Sequence, residues 1–448
     1  MHLNKQWDIN DNSLFFDKLK ERNPLLAAHF GEWQNRTLGE YSNQIWEGSP
    51  LGSENRVSPG FMGAIERICH KRFGMHVDIR TQLHNQPVVL SAHHTAPLFH
   101  PIAIQALLAA VAGSRSPDVV PVLCTDWIPM DNLFYPRGIL IPGKEHTHCI
   151  NLFGKSARKR VVSGMEPFSI EEYEKVLEGI EKISGSGDMD AEHFVRSIEL
   201  VSKFYGDDGV LAQGSYGEQC ALINYKMCKE ILPEKEFVFI NISELATELL
   251  IAQLQDEQSI IYQLLFNPLV TESFIRQLDE VGGCWSLVRQ QGSVLFWSVE
   301  AQRMQPFTIY NAGELLGKNA SLTLTPDKVI GALESGAIIP GMALVFSQLM
   351  FAEGVTCVGG MRQIVYNTAI RKACAESLRP LRPEIYDEIL DHPVDMIVAG
   401  LFPLVSSKGL PLDIARLICR GDLGLDKLGD KALMQVVLDA QAELLALS

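Results

Sequence analysis

The chain has 448 residues and a formal net charge of -15, with 46% hydrophobic and 21% charged residues. This length predicts two or three domains, or one large α/β core with an inserted helical piece. The composition is typical of globular proteins and argues against disorder over most of the chain. The acidic balance disfavours broad electrostatic binding of nucleic acid or of an anionic membrane surface.

The N-terminal segment and the cysteines indicate the compartment. Residues 1–7 contain no apolar run that could serve as a signal peptide, and the longest apolar stretches, 102–112 and 337–350, are shorter than the ~20 residues of a membrane span. The cysteines are scattered without a C-x-x-C pair, which is typical of reduced, mostly buried thiols. We therefore expect a cytoplasmic protein that acts on small-molecule substrates away from membranes, and the sequence leaves a homodimer open.

The first part of the chain predicts an arm and the start of a core. Residues 1–83 mix short helical patterns with polar loops and are expected to pack on the core as an N-terminal arm. Residues 84–165 are expected to form the first half of the core, because the apolar run 87–90 is typical of a parallel strand buried on both faces. The Ala- and Leu-rich stretch 102–111 predicts a helix, and 119–124 predicts the next strand, parallel to the first by a right-handed crossover.

The remaining segments extend this pattern. Residues 166–235 are charged, have helical periodicity and predict a helical insertion. Residues 236–378 predict the second half of the core, with strands at 237–240, 293–298 and 354–358, and residues 379–448 predict a helical C-terminal region. Together the segments predict an α/β fold, a Rossmann-like doubly wound parallel sheet with helical insertions and a helical C-terminal region.

A histidine-rich segment follows the first predicted strand. We expect Ser91, His93, His94 and Thr95 to form a turn between strand and helix, where parallel sheets bind ligands and helix amides attract anions. Imidazoles there can move protons near neutral pH or stabilise an anion. His93 and His94 are therefore the predicted catalytic pair, with Ser91 and Thr95 as substrate-binding residues. The alternative is that these residues only cap the helix and pack.

Polar residues also follow the second predicted strand. Asp126 is a candidate base or amine-binding group, and Asp131 and Asn132 on the same loop are candidates for holding a substrate. Because these strands are expected to be neighbours, their carboxyl ends should lie at the same edge of the sheet. The alternative is that the aspartates serve the geometry of the loop alone.

A glycine turn follows the last predicted strand. Gly359 and Gly360 would let a ligand approach the backbone, and Arg362, Gln363 and Tyr366 would project around that ligand as substrate-binding residues. The alternative explanation for the two glycines is close packing between the helix and the strand.

Residues 146–149 contain side chains of the metal-ligand type. His146, His148 and Cys149 cannot all point to one side of a strand, so a metal would need partners from elsewhere. We predict no metal site but leave metal binding by these three residues open. The basic run at 155–160 is either a solvated face or a site for phosphates.

The order of these segments resembles the bacillithiol synthase family in three places. The matching features are the strand and polar turn at 88–94, the Pro-Val strand with its acidic loop at 121–132, and the strand, glycine turn and tyrosine-bearing helix at 357–366. The resemblance implies addition of cysteine to a glucosamine-malate acceptor. It also implies a Rossmann-type core related to class I aminoacyl-tRNA synthetases and nucleotidyltransferases.

The sequence is compatible with three functions. The first is a ligase or transferase that joins a small amine or thiol, such as the amino acid cysteine, to an acceptor molecule. The second is a nucleotidyltransferase whose histidine-rich turn binds phosphate and whose cofactors would be ATP with magnesium. The third is a non-catalytic binding subunit in which His93 and His94 only cap a helix.

Overall fold

The computed structural model describes residues 12–47, 57–99, 101–132, 136–144, 147–406, 411–420 and 425–439. The strands within these ranges are β1 (Val88–His94), β2 (Val119–Thr125), β3 (Gly138–Pro142), β4 (Thr147–Asn151), β5 (Glu236–Asn241), β6 (Trp285–Ser286), β7 (Gln291–Gly292), β8 (Phe296–Glu300), β9 (Arg303–Asn311), β10 (Glu314–Gly317), β11 (Ser321–Thr323), β12 (Ile338–Pro340), β13 (Thr356–Gly360) and β14 (Ile397–Ala399).

The α-helices in the same ranges are α1 (Asn12–Arg22), α2 (Pro24–Glu32), α3 (Leu38–Trp46), α4 (Pro59–Phe73), α5 (Ile79–Asn85), α6 (Pro101–Val111), α7 (Ile170–Gly185), α8 (Ala191–Tyr205), α9 (Asp208–Leu211), α10 (Tyr216–Ile231), α11 (Ile242–Gln255), α12 (Ile260–Phe266), α13 (Pro268–Leu278), α14 (Pro326–Glu334), α15 (Met342–Ser347), α16 (Gln363–Leu378), α17 (Tyr386–Asp391), α18 (Ile414–Arg420), α19 (Leu425–Gly429) and α20 (Leu433–Asp439). None of the helices in these ranges is both long and apolar enough to cross a membrane.

A five-stranded parallel sheet forms the centre of the molecule, in the order β14-β13-β1-β2-β5. The chain builds β1, β2 and β5 towards one edge and then returns to the other side of β1 for β13 and β14. The direction of winding therefore reverses between β1 and β13. This reversal is a topological switch point, where open parallel sheets leave a crevice at the carboxyl ends of their strands. The predicted mixed α/β fold with a parallel sheet is confirmed at this level.

The two faces of the sheet are covered by two separate hydrophobic cores. Val88 and Leu90 of β1 join one core, which also contains the fully buried helix α6. Val89, between them, joins the other core, to which α4, α11 and α13 contribute. Successive side chains of a strand point to opposite faces, so a continuous apolar run is what a strand covered on both sides requires. The apolar run at 87–90 therefore predicted the buried strand correctly.

A second five-stranded sheet, antiparallel and ordered β11-β10-β9-β8-β12, lies in sequence between β5 and β13. The sequence pattern predicted one of its strands, at 293–298, but not the sheet. Its main hairpin, β8–β9, turns through Ala301 and Gln302, whose φ angles are 47° and 61°. Two-residue turns of this type normally contain Asn-Gly or Asp-Gly. The sequence Ala-Gln in this turn contains neither signal.

The predicted turn at 91–95 is wrong, because β1 continues through it to His94. His93 pairs with Cys124 and His94 with Thr125, after a register shift between Leu90 and His93. Helix α6 begins only at Pro101. The amides of a helix N-terminus therefore do not converge on this segment, and its side chains follow the alternation of a strand instead.

Candidate active site

A cavity of about 790 Å³ opens at the carboxyl ends of the parallel strands, beside the switch point between β1 and β13. Two sets of residues supply many of the polar and aromatic groups of its lining. The sheet-edge lining comes from the parallel sheet and the loops that follow its strands: Ser91, His94, Thr125, Asn132, Gly360, Arg362, Gln363 and Tyr366. The antiparallel lining comes from the inserted region: Cys284, Trp285, Trp297, Arg303, Met304 and Gln305.

His94 is the histidine that faces this cavity. Its Nδ1 lies 2.7 Å from Oδ1 of Asn132, so that the ring donates to the amide and is held in one orientation. Burial lowers the pKa of His94 from its usual value, and the hydrogen bond that the ring donates to Asn132 offsets part of that effect. The imidazole is therefore neutral at physiological pH, which is the form that can accept a proton from a nucleophile.

His93 points to the opposite face of the strand. Its side chain is 2% exposed and does not line the cavity, and its Nε2 lies 3.0 Å from the carbonyl oxygen of Ala103. Burial lowers the pKa of His93 to about 4, so the ring is neutral and donates to that carbonyl. Neighbouring positions on a strand alternate between faces. The structure thus separates the two histidines that the sequence placed together.

Gln363 connects the ends of β1 and β13 across the switch point. Its Nε2 donates to the carbonyl oxygen of Ser91 at 3.3 Å and to Ser91 Oγ at 3.2 Å, and its Oε1 accepts from the amide of Gly360 at 2.8 Å. A Cβ at Gly359 would lie 0.7 Å from that Oε1. Gly359 does not line the cavity, so the first glycine serves the close packing of helix and strand, while Gly360 reaches the cavity.

Three further predicted residues differ in their access to the cavity. Arg362 is exposed on its wall, and Tyr366 lines it with a phenol whose pKa burial raises far above its usual value. Thr95 is buried away from the cavity, where its Oγ1 donates to Asn241 Oδ1 at 2.9 Å.

Cys284 also lines the cavity, but burial raises the pKa of its thiol to about 12, which keeps it protonated and a poor nucleophile.

The two candidate aspartates lie outside the cavity. Asp126 is 2% exposed and accepts hydrogen bonds from the backbone amide of Ser243, at 3.1 Å, and from the Ser243 hydroxyl, at the start of α11. Burial raises the pKa of Asp126 to about 7. Asp131 forms ion pairs with Lys159 at 3.0 Å and with Arg158 at 3.6 Å. Neither carboxylate belongs to the described lining, so the predicted amine-binding pair is not assembled there.

The cationic wall of the cavity was only partly predicted, because Arg362 and the basic run were candidates but Arg303 was not. The amide of Val161 donates to the carbonyl oxygen of Gln302 at 2.7 Å, and Arg160 and Arg303 form a backbone bridge. These contacts dock the turn of the β8–β9 hairpin on the basic run and bring Lys159 and Arg303 to the same cavity. The basic run was visible in the sequence, but the contribution of Arg303 depends on a hairpin that carried no turn signal.

The metal-type residues at 146–149 lie elsewhere. His148 Nε2 is 2.6 Å from Asp188 Oδ2, Cys149 is exposed, and His146 falls outside the described residues. Within the part of the chain that the structure describes, no group of three or more His, Cys, Asp or Glu side chains is placed to hold a metal ion.

Comparison with known proteins adds no family: no protein-family model matches the chain, and no curated protein matches its sequence. The functional argument therefore rests on the geometry of the cavity.

Proposed function

We propose that this chain is a transferase or ligase with a Rossmann-like core, and that its reaction takes place in the cavity at the switch point. His94 takes the proton from a small amine or thiol, such as that of an amino acid, as the nitrogen or sulfur forms its bond to the acceptor. The protonated imidazole then returns the proton to the departing group. The observation that carries this proposal is a neutral, oriented imidazole in a large cavity at the carboxyl edge of the sheet.

The segments that resemble bacillithiol synthases support a single site. Ser91 and His94 from the first segment, Asn132 from the second, and Gly360 and Tyr366 from the third all line the same cavity. Segments far apart in sequence that supply polar groups to one concave site are what a binding or catalytic centre requires.

A nucleotidyltransferase is the second candidate, and the cationic wall favours it. Lys159, Arg303 and Arg362 all line the cavity and can neutralise the charge that develops on a transferred phosphate. In that reaction His94 would still serve as the proton acceptor, but the acceptor atom would be phosphorus and the leaving group pyrophosphate. The two candidates therefore share a site and differ in the electrophile.

The test is turnover of a defined panel, followed by mass spectrometry. Amino acids and small thiols are each incubated with ATP and magnesium, with an acyl thioester or with a reducing sugar. The wild-type protein should consume one pair, and the His94→Gln variant should be slower by about 10²- to 10⁴-fold, the usual contribution of a general base. The His93→Gln variant is the matched control and should keep most of the turnover.

The Asn132→Leu variant tests how His94 is positioned. It removes the hydrogen bond while keeping the side-chain volume, so kcat should fall and the acid limb of kcat/KM should move to lower pH, since that bond raises the pKa of His94. Equal turnover by His94→Gln and wild type would overturn the proposal. Binding of panel compounds with no product from any pair would also overturn it, in favour of a non-catalytic binding protein.

A further inference from the structure

The cavity concentrates positive charge in an acidic protein. Lys159, Arg303 and Arg362 line it, and its described lining contains no Asp or Glu side chain, although the whole chain has a formal net charge of -15. Such a wall repels cations and attracts anions into the cavity. The ligand of this cavity is therefore expected to carry negative charge.

The two arginines have no counter-ion among the residues that the structure describes. Among the described residues, neither Arg303 nor Arg362 lies within ion-pair distance of a carboxylate, whereas Lys159 is 3.0 Å from Asp131. Arg289, in the same inserted region but outside the cavity, is paired with Glu280 at 2.5 Å. A guanidinium presents several donors in a planar fork that matches the oxygens of phosphate or carboxylate groups. Two such forks on separate elements suit an anion with several oxygens.

Two aromatic residues of the described lining, Trp297 and Tyr366, are only partly buried, and Tyr366 packs against Phe346. Trp127 and Trp285 are buried, and the indole of Trp285 donates to the carbonyl oxygen of Ile275. Trp297 is only partly buried and lines the same cavity, with Met304 and Met342 also on the wall. An indole that lines a cavity can stack on planar rings, and such stacking tolerates many ring types.

We propose that the cavity binds a phosphorylated ligand with a planar ring, of the nucleotide class, with its phosphates on Arg303 and Arg362 and its ring against Trp297. This inference rests on the site of the proposed function and names the class of one of its substrates. The volume of about 790 Å³ is in the range of pockets that enclose a ligand of this size.

The test is calorimetric titration of the full chain with ATP, adenosine and tripolyphosphate, in EDTA so that the anion meets side chains alone. ATP should bind more tightly than either fragment. Arg303→Gln should weaken ATP and tripolyphosphate by about 10- to 100-fold, the value of a charge-assisted hydrogen bond, and leave adenosine unchanged. Trp297→Leu should weaken ATP and adenosine but not tripolyphosphate.

Arg289→Gln is the matched control, because it removes the same charge from the same region outside the cavity. Equal binding of ATP by wild type and Arg303→Gln would overturn the phosphate assignment, and ATP binding no tighter than tripolyphosphate would overturn the ring assignment. If the wild-type protein turns over unphosphorylated compounds but does not bind ATP, this inference alone is refuted. If it binds ATP tightly but turns over no compound, the proposed function alone is refuted.

Discussion

The two linings of the cavity are built on different principles. On the sheet-edge lining, His94 pairs with Asn132 and Gln363 pairs with Ser91 and Gly360, while Arg362 alone has no carboxylate partner among the described residues. On the antiparallel lining, Arg303 has no carboxylate partner among the described residues and Trp297 is only partly buried. The first arrangement fixes reacting groups before a ligand arrives, and the second leaves its charge and aromatic surface for the ligand to satisfy.

The two regions also differ in where non-glycine residues adopt positive φ angles. Every described non-glycine residue with a positive φ lies between 280 and 312, in the inserted region that supplies the antiparallel lining. Such conformations cost free energy for residues with a Cβ and persist when the surrounding structure imposes them. In the parallel sheet, the closest contact, between Gly359 and the side chain of Gln363, is made by a glycine. We therefore expect substitutions at the sheet edge to destabilise the fold. In the inserted hairpin, a glycine at a position of positive φ should instead relieve backbone strain and stabilise the fold.

The largest expected effect is at Gly359. A methyl group there would overlap the side chain of Gln363 and break the hydrogen bonds that join β1 to β13. Gly359→Ala should lower the free energy of unfolding by roughly 4 kcal/mol, from overpacking and lost buried hydrogen bonds. Urea unfolding measures this change. Gly360→Ala is the control, since its Cβ would lie 3.4 Å from Ala399 Cβ, an ordinary contact; equal losses in the two variants would contradict the argument.

The next effect concerns His93 and pH. Its folded pKa of about 4 lies below the usual 6.5, so the unfolded chain binds more protons between those values. The His93 contribution to stability is therefore complete above pH 6.5 and decreases as the pH falls towards 4, by up to about 3 kcal/mol. Unfolding of wild type and His93→Gln at pH 4.5 and 7 should show a smaller loss in the variant. Parallel pH profiles would refute the assignment.

A smaller effect is expected at Ser91. Ser91→Ala removes the hydroxyl that meets Gln363 Nε2, but that amide still donates to the Ser91 carbonyl oxygen. The loss should be about 1 kcal/mol, the net value of a typical hydrogen bond. Thermal melting would detect it. A loss as large as that of Gly359→Ala would mean that the hydroxyl supports more of the sheet edge than its contacts indicate.

The smallest effect should have the opposite sign. Ala301→Gly relieves a φ of 47° in the turn of the β8–β9 hairpin and should raise the free energy of unfolding by roughly 0.5 kcal/mol. The same replacement at Ala332, inside α14, should lower it by about 0.5 to 1 kcal/mol. Urea unfolding of both variants measures the two changes. Destabilisation at both positions would show that the positive φ of Ala301 does not strain the hairpin.

Much of the parallel core was predictable, and so was part of the site. The apolar runs near 88, 119, 237 and 356 marked four parallel strands because a strand covered on both faces needs apolar residues in succession. Asn132, Gly360 and Gln363 were predicted as substrate-binding residues at or after the ends of such strands, and all three line the cavity. The antiparallel sheet was not predicted, because four of its five strands have only three to five residues and Ala301–Gln302 is not a recognisable turn sequence.

What the amino-acid sequence by itself determined was the order of the parallel strands in the chain and the polar residues at their carboxyl ends, since local periodicity depends only on neighbouring residues. Only the tertiary structure decided which of two adjacent histidines faces the cavity, because that choice depends on where β1 ends and on its register with β2. It also decided that Arg303 reaches the same cavity, because that contact joins segments about 140 residues apart and leaves no local pattern.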